Sequence, residues 1–197
     1  MEQNRRSKRI DFMVFMILLL GVSAVSLFLF NKQTHGDPSF YPSDMKAYIL
    51  EMQGLDSGYR FPYPVFFKLA ALLYYFCGEP ELAVAIATML LNSLAIVFLK
   101  LFFNRFLLRE FCKLFPKTWS WLGGVFLSFL SAALFFVSML YKKGGIYRLG
   151  IHYIYLGVFT PNPFHNATYM AARPFAVLSF FYFAMLLERY ENGFSGK

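Results

Sequence analysis

Phe12-Met13-Val14-Phe15-Met16-Ile17-Leu18-Leu19-Leu20-Gly21-Val22-Ser23-Ala24-Val25-Ser26-Leu27-Phe28-Leu29-Phe30 contains no charged residue and follows the basic group Arg5, Arg6, Lys8 and Arg9. About 19 apolar residues in helical form span the roughly 30 Å hydrocarbon core of a bilayer. A secretory leader has a shorter apolar region and a small-residue cleavage site after it, and no such site follows Phe30. The stretch therefore reads as an uncleaved signal anchor over 12–30, with a cytoplasmic N-terminus set by the basic residues before it.

The remaining composition extends this reading to the whole chain. Of its 197 residues, 58% are hydrophobic and 21% aromatic, and only 15% are charged, against roughly 25% in soluble domains. The expected class is an all-α polytopic membrane protein, with about five transmembrane helices and short interfacial helices in one membrane domain. The net charge of +8 does not indicate nucleic acid, because the basic residues sit at the ends of apolar runs. There they meet head groups and set orientation, rather than forming a stripe. Cys77 and Cys112 read as small buried hydrophobes, and His35, His152 and His165 are scattered without metal-ligand spacing.

A polar loop over 31–61, rich in Gly and Pro, follows the anchor and is expected outside the cytoplasm. Within it Ser43 or Asp44 is placed to cap a short amphipathic helix starting at Met45. Two apolar runs over 62–103, joined at Gly78-Glu79-Pro80-Glu81, predict a helical hairpin with Pro62 and Pro64 near its start and Lys68 snorkelling. Residues 104–118 alternate Arg105, Arg109, Lys113 and Lys117 with Phe106, Leu107, Phe111, Leu114 and Phe115, as an interfacial helix would. A span over 119–140, a polar loop over 141–166 and a last span over 167–187 complete the chain.

Five simple crossings from a cytoplasmic start would place basic segment 104–118 outside, against the positive-inside tendency. Two other arrangements are open, each of which still leaves one basic segment misplaced. The 62–103 hairpin crosses only once overall, or residues 144–160 add a short irregular crossing. Either one puts the polar cluster of 157–175 on the same side as Asp44.

That cluster concentrates the chemistry. Polar side chains next to lipid must be solvated or bonded internally, so they mark a candidate site. His165 can both donate and accept near neutral pH, and Asn162, Asn166 and Thr168 offer neutral hydrogen bonds to hydroxyl-rich or phosphate groups. Arg173, before Pro174, and Arg60, before the second apolar run, suit a phosphate or lipid head group, or simple interfacial snorkelling. Asp44, between Tyr41 and Tyr48, is a candidate general base or metal ligand, or else a helix cap.

Asp44 in the first loop, Tyr63-Pro64 opening the second run, then Pro161-Asn162, His165-Asn166, Thr168 and Pro174-Phe175 occur in an order that resembles the GT-C superfamily of membrane glycosyltransferases. The likeness is to the N-terminal part of a bacterial multi-spanning member. It implies transfer of a sugar from a polyprenyl-phosphate donor on the extracytoplasmic face of a bacterial plasma membrane. In that case Asp44 is the catalytic base or organises a divalent metal, and Arg173 holds the lipid phosphate. Asn162, His165, Asn166, Thr168 and Arg60 would line the substrate. The competing expectation is a non-catalytic scaffold that binds membrane lipid or a partner membrane subunit. A pore or transporter ranks third, since Lys68, Asn92 and Lys100 are nearly alone among the polar residues of the apolar runs and form no ring of charge.

Overall fold

The computed structural model describes residues 2–34, 45–54, 65–116, 119, 121–142 and 167–195. They form seven helices: α1 (Glu2–Thr34), α2 (Met45–Gly54), α3 (Val65–Cys77), α4 (Pro80–Phe106), α5 (Leu108–Lys113), α6 (Trp121–Lys142) and α7 (Ala167–Ser195). No strand occurs among the described residues. Among the described residues three stretches are long and apolar enough to cross a membrane, namely Ser7–Phe28, Pro80–Phe106 and Ala171–Glu191. The outward faces carry Phe12, Ile17, Leu20, Phe180, Phe183 and Leu186, all well exposed. Water would not tolerate such continuous apolar faces, so these helices suggest a membrane location.

α4 is the axis of the bundle and packs against α1, α3, α6 and α7. Its first turns bury Ala83, Val84, Ala85, Ala87 and Thr88 completely. Three consecutive buried residues exceed a single narrow face, so the helix is covered over more than half its circumference at this height. Small side chains permit that close approach, which in an apolar medium is what brings helices together. Hydroxyls inside the bundle turn back onto their own helices: Ser26 donates to the Val22 carbonyl, Thr88 to Val84 and Ser131 to Leu127. No hydroxyl hydrogen of these three is then left facing hydrocarbon.

The α3–α4 turn follows from three residues. Gly78 adopts φ 71° and its N–H donates to the Tyr74 carbonyl at 2.8 Å, closing α3. Glu79 is extended, and Pro80 begins α4 at a position where a missing N–H costs nothing. α3 has 13 residues, about 20 Å, and falls short of the membrane core. Its Phe66 and Phe67 pack edge-on against each other and against Tyr48 of α2, seating α2 in the bundle. Lys68 points outward.

Interhelical contacts give the directions. Ser23 lies beside Ser93, and Asp11 beside Lys100, so α1 and α4 are antiparallel. Asn92 meets Arg173, and Arg105 meets Glu188, so α4 and α7 run the same way. α6 starts beside Asp11, through Gly124 and Ser128. The C-terminal end of α4, α5 and the start of α6 thus lie at the Asp11 end of the bundle. If these helices cross a membrane, the antiparallel α1 and α4 and the short α3 are what a hairpin that crosses once overall would give.

Boundaries differ from the sequence reading at several helix ends, most at three. α1 is helical through its basic segment and on to Thr34, well beyond 12–30. α4 continues to Phe106, and the helix expected over 104–118 shrinks to Leu108–Lys113, with Leu107 as the break between them. α7 extends to Ser195 rather than ending at 187. In each case polar flanks add helical turns that hydropathy alone does not mark, since local hydrogen bonding continues beyond the apolar run.

Candidate functional site

Arg173 sits in the second turn of α7, one residue before the buried Pro174. The ring of Pro174 offers no N–H to the Met170 carbonyl, so α7 lacks one hydrogen bond at this point. The Nη1 of Arg173 donates to Oδ1 of Asn92 at 2.7 Å. Asn92 is itself fixed, because its Nδ2 donates to the Thr88 carbonyl at 2.8 Å. Both amide atoms of Asn92 are therefore satisfied and its orientation is set by the network.

The rest of the guanidinium is open. Nε and Nη2 are shut off from solvent and have no hydrogen-bond partner among the described residues. These two atoms form the side-on edge of the guanidinium, the pair of parallel donors that matches two oxygens of a phosphate or carboxylate. A buried donor without an acceptor costs about 1–3 kcal/mol, more for a charged group. Asn92 and Arg173 together thus make a positively charged fork, held by Asn92 on one side, with its other edge lacking an acceptor among the described residues.

A second polar group lies at the opposite end. Nζ of Lys100 donates to Oδ1 of Asp11 and to the carbonyl of Gly124, both at 2.8 Å. Ser128 contributes its hydroxyl to the same Asp11 oxygen at 2.9 Å. A Cβ on Gly124 would come within 2.7 Å of the Asp11 carboxyl carbon, so only glycine admits the carboxylate here. Gly123 similarly makes room for the backbone of Cys112 in α5. Burial pushes the Cys112 thiol up, Asp11 adds to the rise, and Lys100 opposes it.

Of the site residues expected from sequence, Arg173 is the one whose side chain is described, and it occupies the fork. Asp44, Arg60, Asn162, His165 and Asn166 lie outside the described residues. Thr168 belongs to the first turn of α7, and its side chain lies outside the described ones. Among the described residues no group of His, Cys, Asp or Glu is arranged to hold a metal ion. Sequence reasoning noticed Asn92 and Lys100 as polar interruptions without assigning them partners, and passed over Asp11, Ser128 and Gly124. The available signal was an amide and an amine in one apolar run, each of which needs a partner on another helix. Set against known protein families, characterised proteins and solved structures, the chain matches none.

Proposed function

We propose that this chain is a glycosyltransferase-like integral membrane protein in which Arg173 holds the phosphate of a polyprenyl-phosphate sugar donor. The observation that carries this reading is the buried fork: Nη1 is anchored on Asn92, while Nε and Nη2 have no acceptor among the described residues. A lipid phosphate supplies two oxygens in one plane and a charge that compensates the guanidinium where water does not. The site's height also favours a lipid. Arg173 lies near the start of an apolar helix, where a head group would sit with its chain alongside.

The sugar-transfer part rests on the order of Asp44, Tyr63-Pro64, His165-Asn166 and Pro174-Phe175 in the sequence. In this reading Asp44 serves as base, alone or through a divalent metal, and Asn162, His165, Asn166, Thr168 and Arg60 surround the sugar and its carrier. In this reading α1, α4, α6 and α7 cross the membrane and the short α3 enters it partway, so the roughly five apolar segments give four crossings. The N-terminus faces the cytoplasm of a bacterial cell, because Arg5, Arg6, Lys8 and Arg9 precede the first span.

The test uses the purified chain in phosphatidylcholine nanodiscs, with a polyprenyl phosphate and the corresponding neutral polyprenol as probes. The phosphate should bind at least tenfold more tightly than the alcohol, and Arg173→Gln should abolish the difference. Equal binding of the two lipids, or an unchanged preference in the variant, would overturn the reading. Selective binding without sugar transfer, in wild type and Asp44→Asn alike, would leave a lipid-binding protein in place of an enzyme.

A further inference from the structure

The polar group at the far end of α4 assigns a role that the anion site does not need. Lys100 is almost completely buried, and all its described partners come from other helices: Asp11 on α1, Gly124 on α6. Asp11 is also largely buried, and its Oδ1 accepts from Lys100 and Ser128 together. Three helices far apart in the chain therefore meet at one ion pair. We propose that Asp11 and Lys100 form a latch that admits α4 to the bundle, with α1 supplying the counter-charge without which α4 cannot keep its lysine inside.

Magnitudes favour this over a passive contact. A pair of exposed charges contributes little, but removing one partner of a buried pair strands an uncompensated charge and costs about 3–5 kcal/mol. Replacing both partners by apolar side chains is often neutral, because the desolvation of both is removed together. The latch therefore predicts a pattern across variants that a merely well-packed contact would not show. Gly124 belongs to the same device, since its missing side chain is what lets the Asp11 carboxylate reach α6.

The structure provides a direct readout of whether α1 stays on α4. The hydroxyls of Ser23 and Ser93 are 2.8 Å apart, on the same two helices but away from the ion pair. In the full chain with Cys77 and Cys112 replaced by serine, Ser23→Cys and Ser93→Cys should form a disulfide readily in membranes under mild oxidation. Adding Asp11→Asn should lower the crosslinked fraction about fivefold or more, as expected for a stranded buried lysine. Adding Asp11→Leu with Lys100→Leu should restore it to near the parent value. If Asp11→Asn crosslinks like the parent, or if the double leucine variant stays as low as the single, the latch is wrong. Should the single variant fail to accumulate, recovery of both accumulation and crosslinking in the double variant gives the same support, and its absence the same refutation. None of these outcomes depends on lipid phosphate binding at Arg173.

Discussion

Asn92 accepts from Arg173 with one end of its amide and donates to the Thr88 carbonyl with the other. An asparagine inside an apolar helix is thereby spent on orienting a guanidinium that belongs to a helix 81 residues later in the chain.

Replacing Asn92 with leucine should remove the acceptor for Nη1 and leave the guanidinium without any described partner. The expected loss is about 1–3 kcal/mol, the cost of stranding a buried polar group. Thermal unfolding in detergent should show it, and adding Arg173→Met should recover most of the loss. Failure of the second substitution to recover stability would mean that Asn92 matters through packing instead.

Gly124→Ala places a methyl group where the Asp11 carboxylate now sits. Either α1 and α6 separate or the carboxylate turns away from Lys100. We expect a loss of about 1–3 kcal/mol, typical of overpacking, and greater than for Gly21→Ala, where a Cβ meets nothing within 4 Å. Comparing melting temperatures of the two variants checks the ordering.

At Gly78 there is open space around a prospective Cβ, but φ is 71°. Gly78→Ala should thus cost about 1–2 kcal/mol purely through the left-handed backbone. Gly78→Asn should cost less, because asparagine tolerates this conformation. Equal losses would point to an effect on the neighbouring Glu79–Pro80 segment.

Thiol labelling distinguishes the two cysteines. Cys77 is exposed, whereas Cys112 is partly covered and its thiol is pushed up by burial and by Asp11. The thiolate is the reactive form, so a raised value leaves less of it at a given pH. Cys112 should alkylate more slowly than Cys77 at pH 8. Its rate should keep climbing as pH rises past the ordinary thiol range. Stopped-time maleimide labelling with mass readout of each peptide measures both.

Much of the architecture is legible in the sequence because apolar length is a local property. The run from Phe12, the Gly78-Glu79-Pro80 turn and the final apolar stretch each carry their signal within a few turns of helix. Arg173 was legible for a similar reason, as a cation next to proline at the mouth of an apolar run. Its partner was not. Asn92 resembles any tolerated amide until α7 is laid beside α4. Asp11 is hidden further still, because it stands between the basic group and the long apolar run and looks like part of a solvated flank. Lys100 draws it inside from 89 residues away, and only tertiary structure brings the two together. Gly123-Gly124 carries no meaning until the groups that need the space are known.

α4 and α7 are fastened at two heights, by Asn92 with Arg173 and by Arg105 with Glu188, with Phe106 set against the ring of Phe181 near the second. The fastenings stand 13 residues apart on α4 and 15 on α7, about 20 and 23 Å along the respective axes. A slip of α7 along α4 by one turn would undo both pairs together, so they select a single register for the two helices; the Asn92–Arg173 contact carries most of that choice, because the Arg105–Glu188 pair is exposed.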